Sequence, residues 1–200
     1  MMLHTPAGKA LGAMVLTHGA GGNANAPLLV AVAKELARLG MVVDRYNLPF
    51  RQARSSGPPR PADAARDREG LREAAAQLRA EFGGRVYLGG HSYGGRQASM
   101  LAAEDPAVCD GLLLQSYPLH PPGKPEQPRT AHLPKLAAPS LFVHGSKDPF
   151  GTIEEMEAAL ALIPAQREMY VVQGAGHDLG RGRDLGFCAQ FVAMVESSVA

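Results

Sequence analysis

The pentapeptide Gly90-His91-Ser92-Tyr93-Gly94 contains a serine whose neighbours two positions away on each side lack side chains. The apolar run 86–88 precedes it and a helix-like run at 97–104 follows it, which predicts a turn from a strand into a helix. A turn of this kind is tight enough to present a serine hydroxyl above the edge of a sheet, and flanking glycines relieve the crowding. The pattern therefore predicts that Ser92 is a nucleophile.

Two residues of the types that activate a serine also follow strand-like segments. The apolar run 140–143 leads into Asp148, and the run 168–172 leads into His177, which is the only histidine after Asp148. In such a set the histidine takes the proton of the serine, and the carboxylate orients the imidazole and stabilises its positive charge. We therefore expect His177 to be the base and Asp148 to be its partner.

A glycine-rich turn, His18-Gly19-Ala20-Gly21-Gly22, lies between an apolar strand at 13–17 and a helical pattern at 27–39. Glycines in such a turn let main-chain N–H groups approach a ligand and bind negative charge. We expect an oxyanion hole formed by the N–H groups of Ala20 and Tyr93. A dinucleotide-binding loop is disfavoured, because Gly-x-Gly-x-x-Gly is not matched.

The motifs HGAGG, GGHSYGGRQAS, HGSKDPFG and GAGHDL make the chain similar to the α/β-hydrolase superfamily, and most similar to its small dienelactone-hydrolase-like members. The resemblance extends from the strand at 13–17 to the final helix, and it implies a triad in the order Ser92, Asp148, His177. Dienelactone hydrolase itself has cysteine as its nucleophile where this chain has Ser92, so a lactone of that type is not the expected substrate.

The resemblance implies a serine hydrolase that cleaves carboxylic esters or thioesters through an acyl-enzyme on Ser92. Esters are favoured because an alcohol leaves more readily than an amine. The related group also includes a chromatin-complex subunit of scaffold type, so a binding module without turnover stays open as an alternative. Acyl transfer to an acceptor other than water is a third possibility, since it shares the acyl-enzyme.

The alternation of strands and helices predicts a minimal α/β-hydrolase fold in one domain over 1–200, with three layers and no large lid. About six mostly parallel strands are expected at 13–17, 41–46, 86–89, 111–115, 140–144 and 167–173. Helices on both faces are expected at 27–39, 62–82, 97–104, 152–163 and 185–197. Segment 1–12 is expected to add a short antiparallel strand at the edge.

Two proline-rich segments are expected to border the site. Segment 48–61 is predicted to be an irregular loop, neither strand nor helix. Its arginines either face solvent and pair with acids such as Asp63, or Arg51 binds a carboxylate or phosphate of the substrate. Segment 117–139 is too short and lacks the amphipathic pattern of a lipase lid, so the expected substrate is small and soluble.

The remaining histidines are interpreted as structural. We expect His18 and His144 to form hydrogen bonds with loop backbone, and His91 to pack beneath the nucleophile. No pair of histidines has the spacing of a metal site. The sequence therefore predicts neither a metal nor a cofactor.

Charge and composition favour a small-molecule substrate. The net charge is +1, from 20 basic and 19 acidic residues, so no overall field would attract nucleic acid or an anionic membrane. No segment approaches the roughly 18 apolar residues of a membrane span, and the start lacks the pattern of a signal peptide. Cys109 and Cys188 are far apart and are expected to be free thiols. We expect a cytoplasmic enzyme that acts on a small ester, and the oligomeric state stays open.

Overall fold

A seven-stranded sheet forms the centre of the computed structural model, which describes residues 1–197. Along the chain the strands are β1 (Leu3–His4), β2 (Gly12–Thr17), β3 (Met41–Tyr46), β4 (Val86–His91), β5 (Leu112–Gln115), β6 (Ser140–Gly145) and β7 (Arg167–Val172). Their spatial order is β1-β3-β2-β4-β5-β6-β7. Strands β2 to β7 pair in parallel, whereas β1 pairs antiparallel with β3. The mostly parallel sheet and the short edge strand are both confirmed.

The helices are α1 (Pro27–Arg38), α2 (Pro49–Ala53), α3 (Asp63–Phe82), α4 (Tyr93–Glu104), α5 (Ile153–Leu160) and α6 (Gly186–Ser197), with single 3-10 turns at Leu133–Lys135 and Leu179–Arg181. Helix α4 begins directly after Ser92, earlier than predicted, because the low helix propensity of Gly94 and Gly95 conceals its first turn in the sequence. The prediction that 48–61 contains no helix was wrong. Pro49 starts α2, a position where the missing N–H of proline costs no hydrogen bond.

The helices cover both faces of the sheet. Along β2, Ala13 and Val15 pack in a cluster with α3, α4 and α5, whereas Met14 and Leu16 pack in a second cluster with α1 and α6. Successive side chains of a strand point to opposite faces, so a strand covered on both sides is apolar throughout. This is why β2 reads as one continuous apolar run, and it gives the predicted three layers.

The two cysteines are free, as predicted, and both are buried. Burial raises the pKa of the Cys109 and Cys188 thiols to about 12, so both are protonated at neutral pH. Within residues 1–197, none of the helices combines the length and the apolar composition required to cross a bilayer.

Candidate active site

Ser92 lies in the turn between β4 and α4 with φ 51° and ψ −115°, a left-handed conformation that non-glycine residues rarely adopt. The glycines on each side make this turn possible. A Cβ atom on Gly90 would lie 2.6 Å from the main-chain nitrogen of Gly95, and one on Gly94 would lie 2.6 Å from the carbonyl oxygen of His18. Real Cβ atoms do not approach so closely, so the backbone packing permits only glycine at both positions.

A continuous line of hydrogen bonds joins the three residues predicted to act together. The Nε2 atom of His177 lies 2.8 Å from Oγ of Ser92, and its Nδ1 atom lies 2.8 Å from Oδ2 of Asp148. The main-chain N–H of Phe150 donates to the other Asp148 oxygen at 3.0 Å. The carboxylate is fully buried, and the imidazole is partly exposed. The three predicted residues, which are far apart in the sequence, therefore meet at one edge of the sheet.

Two opposing effects set the ionisation of Asp148. Burial acts to raise the pKa of this carboxyl, but the hydrogen bond and the positive charge of His177, together with the N–H of Phe150, hold the pKa below its usual range. Asp148 is therefore ionised at neutral pH and accepts a hydrogen bond from the Nδ1–H group of His177. The tautomer that results leaves Nε2 of His177 free to accept the hydroxyl proton of Ser92.

A glycine at the end of β6 allows the loop that carries His177 to cross over this strand. A Cβ atom on Gly145 would lie 2.5 Å from the carbonyl oxygens of both Ala175 and Gly176. Next to this crossing, the N–H of Lys147 donates to the carbonyl of Ala175 at 2.8 Å. The close approach brings His177 from β7 back towards Ser92, which follows β4.

His91 has a more specific position than packing beneath the nucleophile. Its Nε2 lies 2.7 Å from the main-chain carbonyl oxygen of His177, and the two rings lie 5.1 Å apart. Burial lowers the pKa of His91 to about 4, so the ring is neutral and Nε2 carries the proton that it donates. The ring of Phe150 lies 4.2 Å from that of His177. Two aromatic rings therefore lie close to the imidazole of His177.

The glycine-rich turn lies beside Ser92. A Cβ atom on Gly19 would lie 3.4 Å from Cβ of Ser92. The N–H groups of Ala20 and Tyr93, the two expected donors to an oxyanion, donate to no other group within residues 1–197. Both residues line the space next to the hydroxyl of Ser92. Two main-chain donors are therefore available there.

Arg51 lies elsewhere than predicted. Its guanidinium is buried and donates to four main-chain carbonyl oxygens, those of Ala20, Gly22, Arg54 and Gly57, at 2.8 to 3.2 Å. It is absent from the residues that line the cavities next to Ser92. This position does not support the predicted contact with a substrate anion, and it ties the glycine-rich turn to the loop after α2. Arg54 pairs with Asp63 at 2.7 Å, as the alternative interpretation of this segment predicted.

Two cavities meet at Ser92, and Ala20, Ser92 and Phe150 line both. The first, of about 510 Å³, is mainly apolar, with Pro27, Leu28 and Leu29 in its wall, and it also contains His177. The second, of about 700 Å³, lies between segment 58–61 and α4. Segment 117–139 contributes Pro118 and Arg129 to the wall of this second cavity, and Tyr117 Oη donates to the carbonyl of Arg129 at 2.6 Å, which folds the segment back on itself.

His18 and His144 bond to loop backbone, as predicted. His18 accepts from the N–H of Leu48 and donates to the carbonyl of Gly19, and His144 donates to the carbonyl of Gly151 at 2.8 Å. Within the described part of the chain, no group of three or more histidine, cysteine or acidic side chains is arranged to hold a metal ion.

The parallel sheet, its two helical layers and the serine at a glycine-flanked turn define a protein of the α/β-hydrolase class. The family model described as "Alpha/beta hydrolase domain" matches residues 10–195. The chain therefore belongs to this family.

Solved structures with the same fold support this assignment. Dienelactone hydrolase from Anabaena variabilis is 24% identical with a TM-score of 0.73, over 96% of this chain and 87% of that one. An alpha-beta serine hydrolase homologue from Coxiella burnetii is 21% identical with a TM-score of 0.72, over 100% and 90%. XC6422 from Xanthomonas campestris, described as an α/β serine hydrolase without a lid, is 18% identical with a TM-score of 0.67, over 98% and 86%. At these identities the likeness establishes the fold.

Proposed function

We propose that the protein is a serine hydrolase that cleaves carboxylic esters or thioesters through an acyl-enzyme on Ser92. The observation that carries this proposal is the unbroken line of hydrogen bonds from Asp148 through His177 to Ser92. A base and its orienting carboxylate have no structural purpose next to a serine held in a strained turn, whereas acyl transfer requires all three.

In the first half of the reaction, Oγ of Ser92 attacks the acyl carbon while Nε2 of His177 accepts the hydroxyl proton. Asp148 stabilises the imidazolium that forms. The carbonyl oxygen becomes an oxyanion and accepts hydrogen bonds from the N–H groups of Ala20 and Tyr93. These N–H groups break no other hydrogen bond within residues 1–197 to do so. His177 then protonates the leaving alcohol or thiol as its bond to the acyl carbon breaks.

In the second half, His177 takes a proton from water, and the water oxygen attacks the acyl carbon of the acyl-enzyme. The same N–H groups of Ala20 and Tyr93 hold the second oxyanion. His177 returns the proton to Oγ of Ser92, so the carboxylic acid leaves and the enzyme is regenerated. Segment 117–139, whose only helical element is the single 3-10 turn at Leu133–Lys135, is not a helical lid, and this favours small soluble substrates.

Labelling with a fluorophosphonate tests the proposal without knowledge of the substrate. One adduct is expected on Ser92, located by intact mass and peptide mapping, and none in Ser92→Ala. Ser116→Ala is a matched control, because Ser116 also has a left-handed φ of 47° after the neighbouring strand β5, but its hydroxyl has no hydrogen-bond partner. The control should label as the wild type does.

Turnover separates an enzyme from a binding module of the same fold. Hydrolysis of p-nitrophenyl hexanoate should fall by about 10⁴ to 10⁶ in Ser92→Ala, and by about 10³ to 10⁴ in Asp148→Asn, which favours the wrong tautomer of His177. A folded wild-type protein that neither labels nor turns over any ester would overturn the proposal.

A further inference from the structure

The second cavity beside Ser92 has a strongly positive wall. None of its lining residues is acidic, and four are arginines: Arg60, Arg68, Arg96 and Arg129. The first cavity differs, since its wall next to Ser92 is largely apolar. A substrate that reaches into both cavities therefore meets two very different surroundings on the two sides of its reacting carbon.

Three of these arginines have no carboxylate partner within residues 1–197, and one of the three, Arg60, is exposed. Arg68 pairs with Glu104 at 3.0 Å, which neutralises it. Neither Arg96 nor Arg129 forms an ion pair with any acidic side chain within residues 1–197. Nε of Arg96 is buried and has no hydrogen-bond partner there. An unsatisfied charged donor of this kind is costly unless something else completes it.

Both guanidinium groups are attached to fixed parts of the fold. The main-chain N–H of Arg96 donates to the carbonyl of Ser92 at 2.9 Å, which places Arg96 one helical turn after the nucleophile. The N–H of Arg129 donates to the carbonyl of Leu119 at 2.7 Å, and its side chain donates to the carbonyl of Pro118 at 3.2 Å. The backbone of both residues is therefore fixed, and the guanidinium of Arg129 is also held by the carbonyl of Pro118.

Neighbouring groups respond to this concentration of positive charge. Burial and then the charges of Arg96 and Arg68 lower the pKa of His132 to about 4, so His132 adds no third cation. Burial and the charge of Arg96 also lower the pKa of Arg129. The acids that directly precede the lining residues Ala64 and Arg68 are engaged elsewhere: Asp63 with Arg54, and Asp67 with the N–H of Phe50 and the hydroxyl of Tyr93.

The position of His177 decides which part of an ester enters this cavity. His177 lines the apolar cavity and not the arginine-lined one. The leaving oxygen must receive its proton from Nε2 of His177, so the alcohol or thiol part extends into the apolar cavity. The acyl part then extends towards Arg96 and Arg129.

We propose that Arg96 and Arg129 bind an oxyanion, a carboxylate or a phosphate, at the far end of the acyl group of the substrate. The preferred substrate would then be a monoester or monothioester of an acid with two anionic groups. Guanidinium groups suit this role because their planar N–H pairs match both carboxylate and phosphate. The inference rests on the proposed function for its orientation of the substrate.

The decisive comparison is between mono-p-nitrophenyl adipate and p-nitrophenyl hexanoate, whose acyl chains have the same length and differ by the terminal carboxylate. We expect the wild type to have a kcat/KM at least tenfold higher for the adipate ester. In Arg96→Gln and in Arg129→Gln the ratio of the two values should fall by about ten- to a hundredfold, as for lost hydrogen bonds to a charged group. Arg167→Gln, at an exposed position at the start of β7, is the matched control and should leave the ratio unchanged.

A binding measurement makes the test independent of turnover. Calorimetric titration of Ser92→Ala with adipate and with butyl phosphate should give binding that the added Arg96→Gln substitution weakens at least tenfold. The tighter of the two ligands identifies the kind of oxyanion. Equal kcat/KM for the two esters, or a ratio and an adipate affinity that both arginine variants leave unchanged, would overturn the inference while leaving the hydrolase proposal intact. Absence of any esterase activity together with arginine-dependent adipate binding would instead overturn the hydrolase proposal, and only the oxyanion site at Arg96 and Arg129 would stand.

Discussion

The main-chain carbonyl oxygen of His177 accepts a hydrogen bond from Nε2 of His91 at 2.7 Å, while the side chain of His177 bonds to Ser92. His91 is the residue directly before Ser92, so the peptide that bears the nucleophile also holds the backbone of the base. Two loops that lie 86 residues apart in the sequence are joined by this bond. His91 thereby acts as a positioning residue for His177.

The low pKa of His91 predicts a loss of stability in acid. Burial lowers its pKa to about 4 in the folded protein, whereas an unfolded histidine has a pKa of about 6.5. The unfolded chain therefore binds more protons between these values, and this contribution to stability is complete above pH 6.5 and is lost as the pH falls towards 4. His91→Gln keeps an N–H donor and does not titrate. When the free energy of unfolding is measured with urea from pH 7 to pH 4.5, its decrease per pH unit should be smaller in the variant than in the wild type, by up to about 1.4 kcal/mol. Parallel slopes would contradict the prediction.

The backbone strain at Ser92 predicts that removal of the side chain stabilises the fold. A left-handed φ at a non-glycine residue costs on the order of 1–3 kcal/mol, and glycine avoids much of it. Ser92→Gly should raise the free energy of unfolding by about 1 kcal/mol and abolish hydrolysis. Ser92→Ala is the control, because it abolishes hydrolysis and keeps the strained Cβ. Equal unfolding free energies for the two variants would show that the turn is not strained.

The buried guanidinium of Arg51 predicts that its geometry, and not its charge alone, supports the site. Arg51→Lys keeps the charge but cannot reach four carbonyl oxygens at once. We expect a loss of about 2 kcal/mol in unfolding free energy and at least a tenfold loss of kcat/KM, because the turn that carries Ala20 loosens. Arg54→Lys, which affects a partly exposed ion pair, should change both by much less. Wild-type kinetics in Arg51→Lys would assign Arg51 no role in positioning Ala20.

The open mouth of the site predicts a limited preference for chain length. In the proposed orientation the acyl chain extends along the arginine-lined cavity, where few methylene groups meet apolar surface, each worth about 0.8 kcal/mol when buried. For p-nitrophenyl esters, kcat/KM should rise from acetate to a maximum between butyrate and octanoate and then level or fall. No increase is expected when the substrate forms micelles, because no lid covers the site. A steady rise to palmitate with activation by micelles would indicate a lipase.

Local sequence patterns predicted much of the fold and of the candidate site. Strand ends followed by Ser92, Asp148 and His177 were recognisable because each motif is continuous in the sequence. The partners of His91 and Arg51 were not, because they depend on which distant loops the sheet brings together. Gly145 shows the same limit: its role comes from carbonyl groups of a loop about thirty residues away that cross over it.

The four carbonyl oxygens around Arg51 also limit how the chain can change in length. A residue inserted at 55–57 would move the carbonyl of Gly57 out of reach and release the turn that carries Ala20, although both lie at the surface of the molecule. Segment 121–127, whose residues are largely exposed, carries no such contact and should accept an insertion or a tag. Two proline-rich loops that look alike in the sequence therefore differ in their tolerance of insertions.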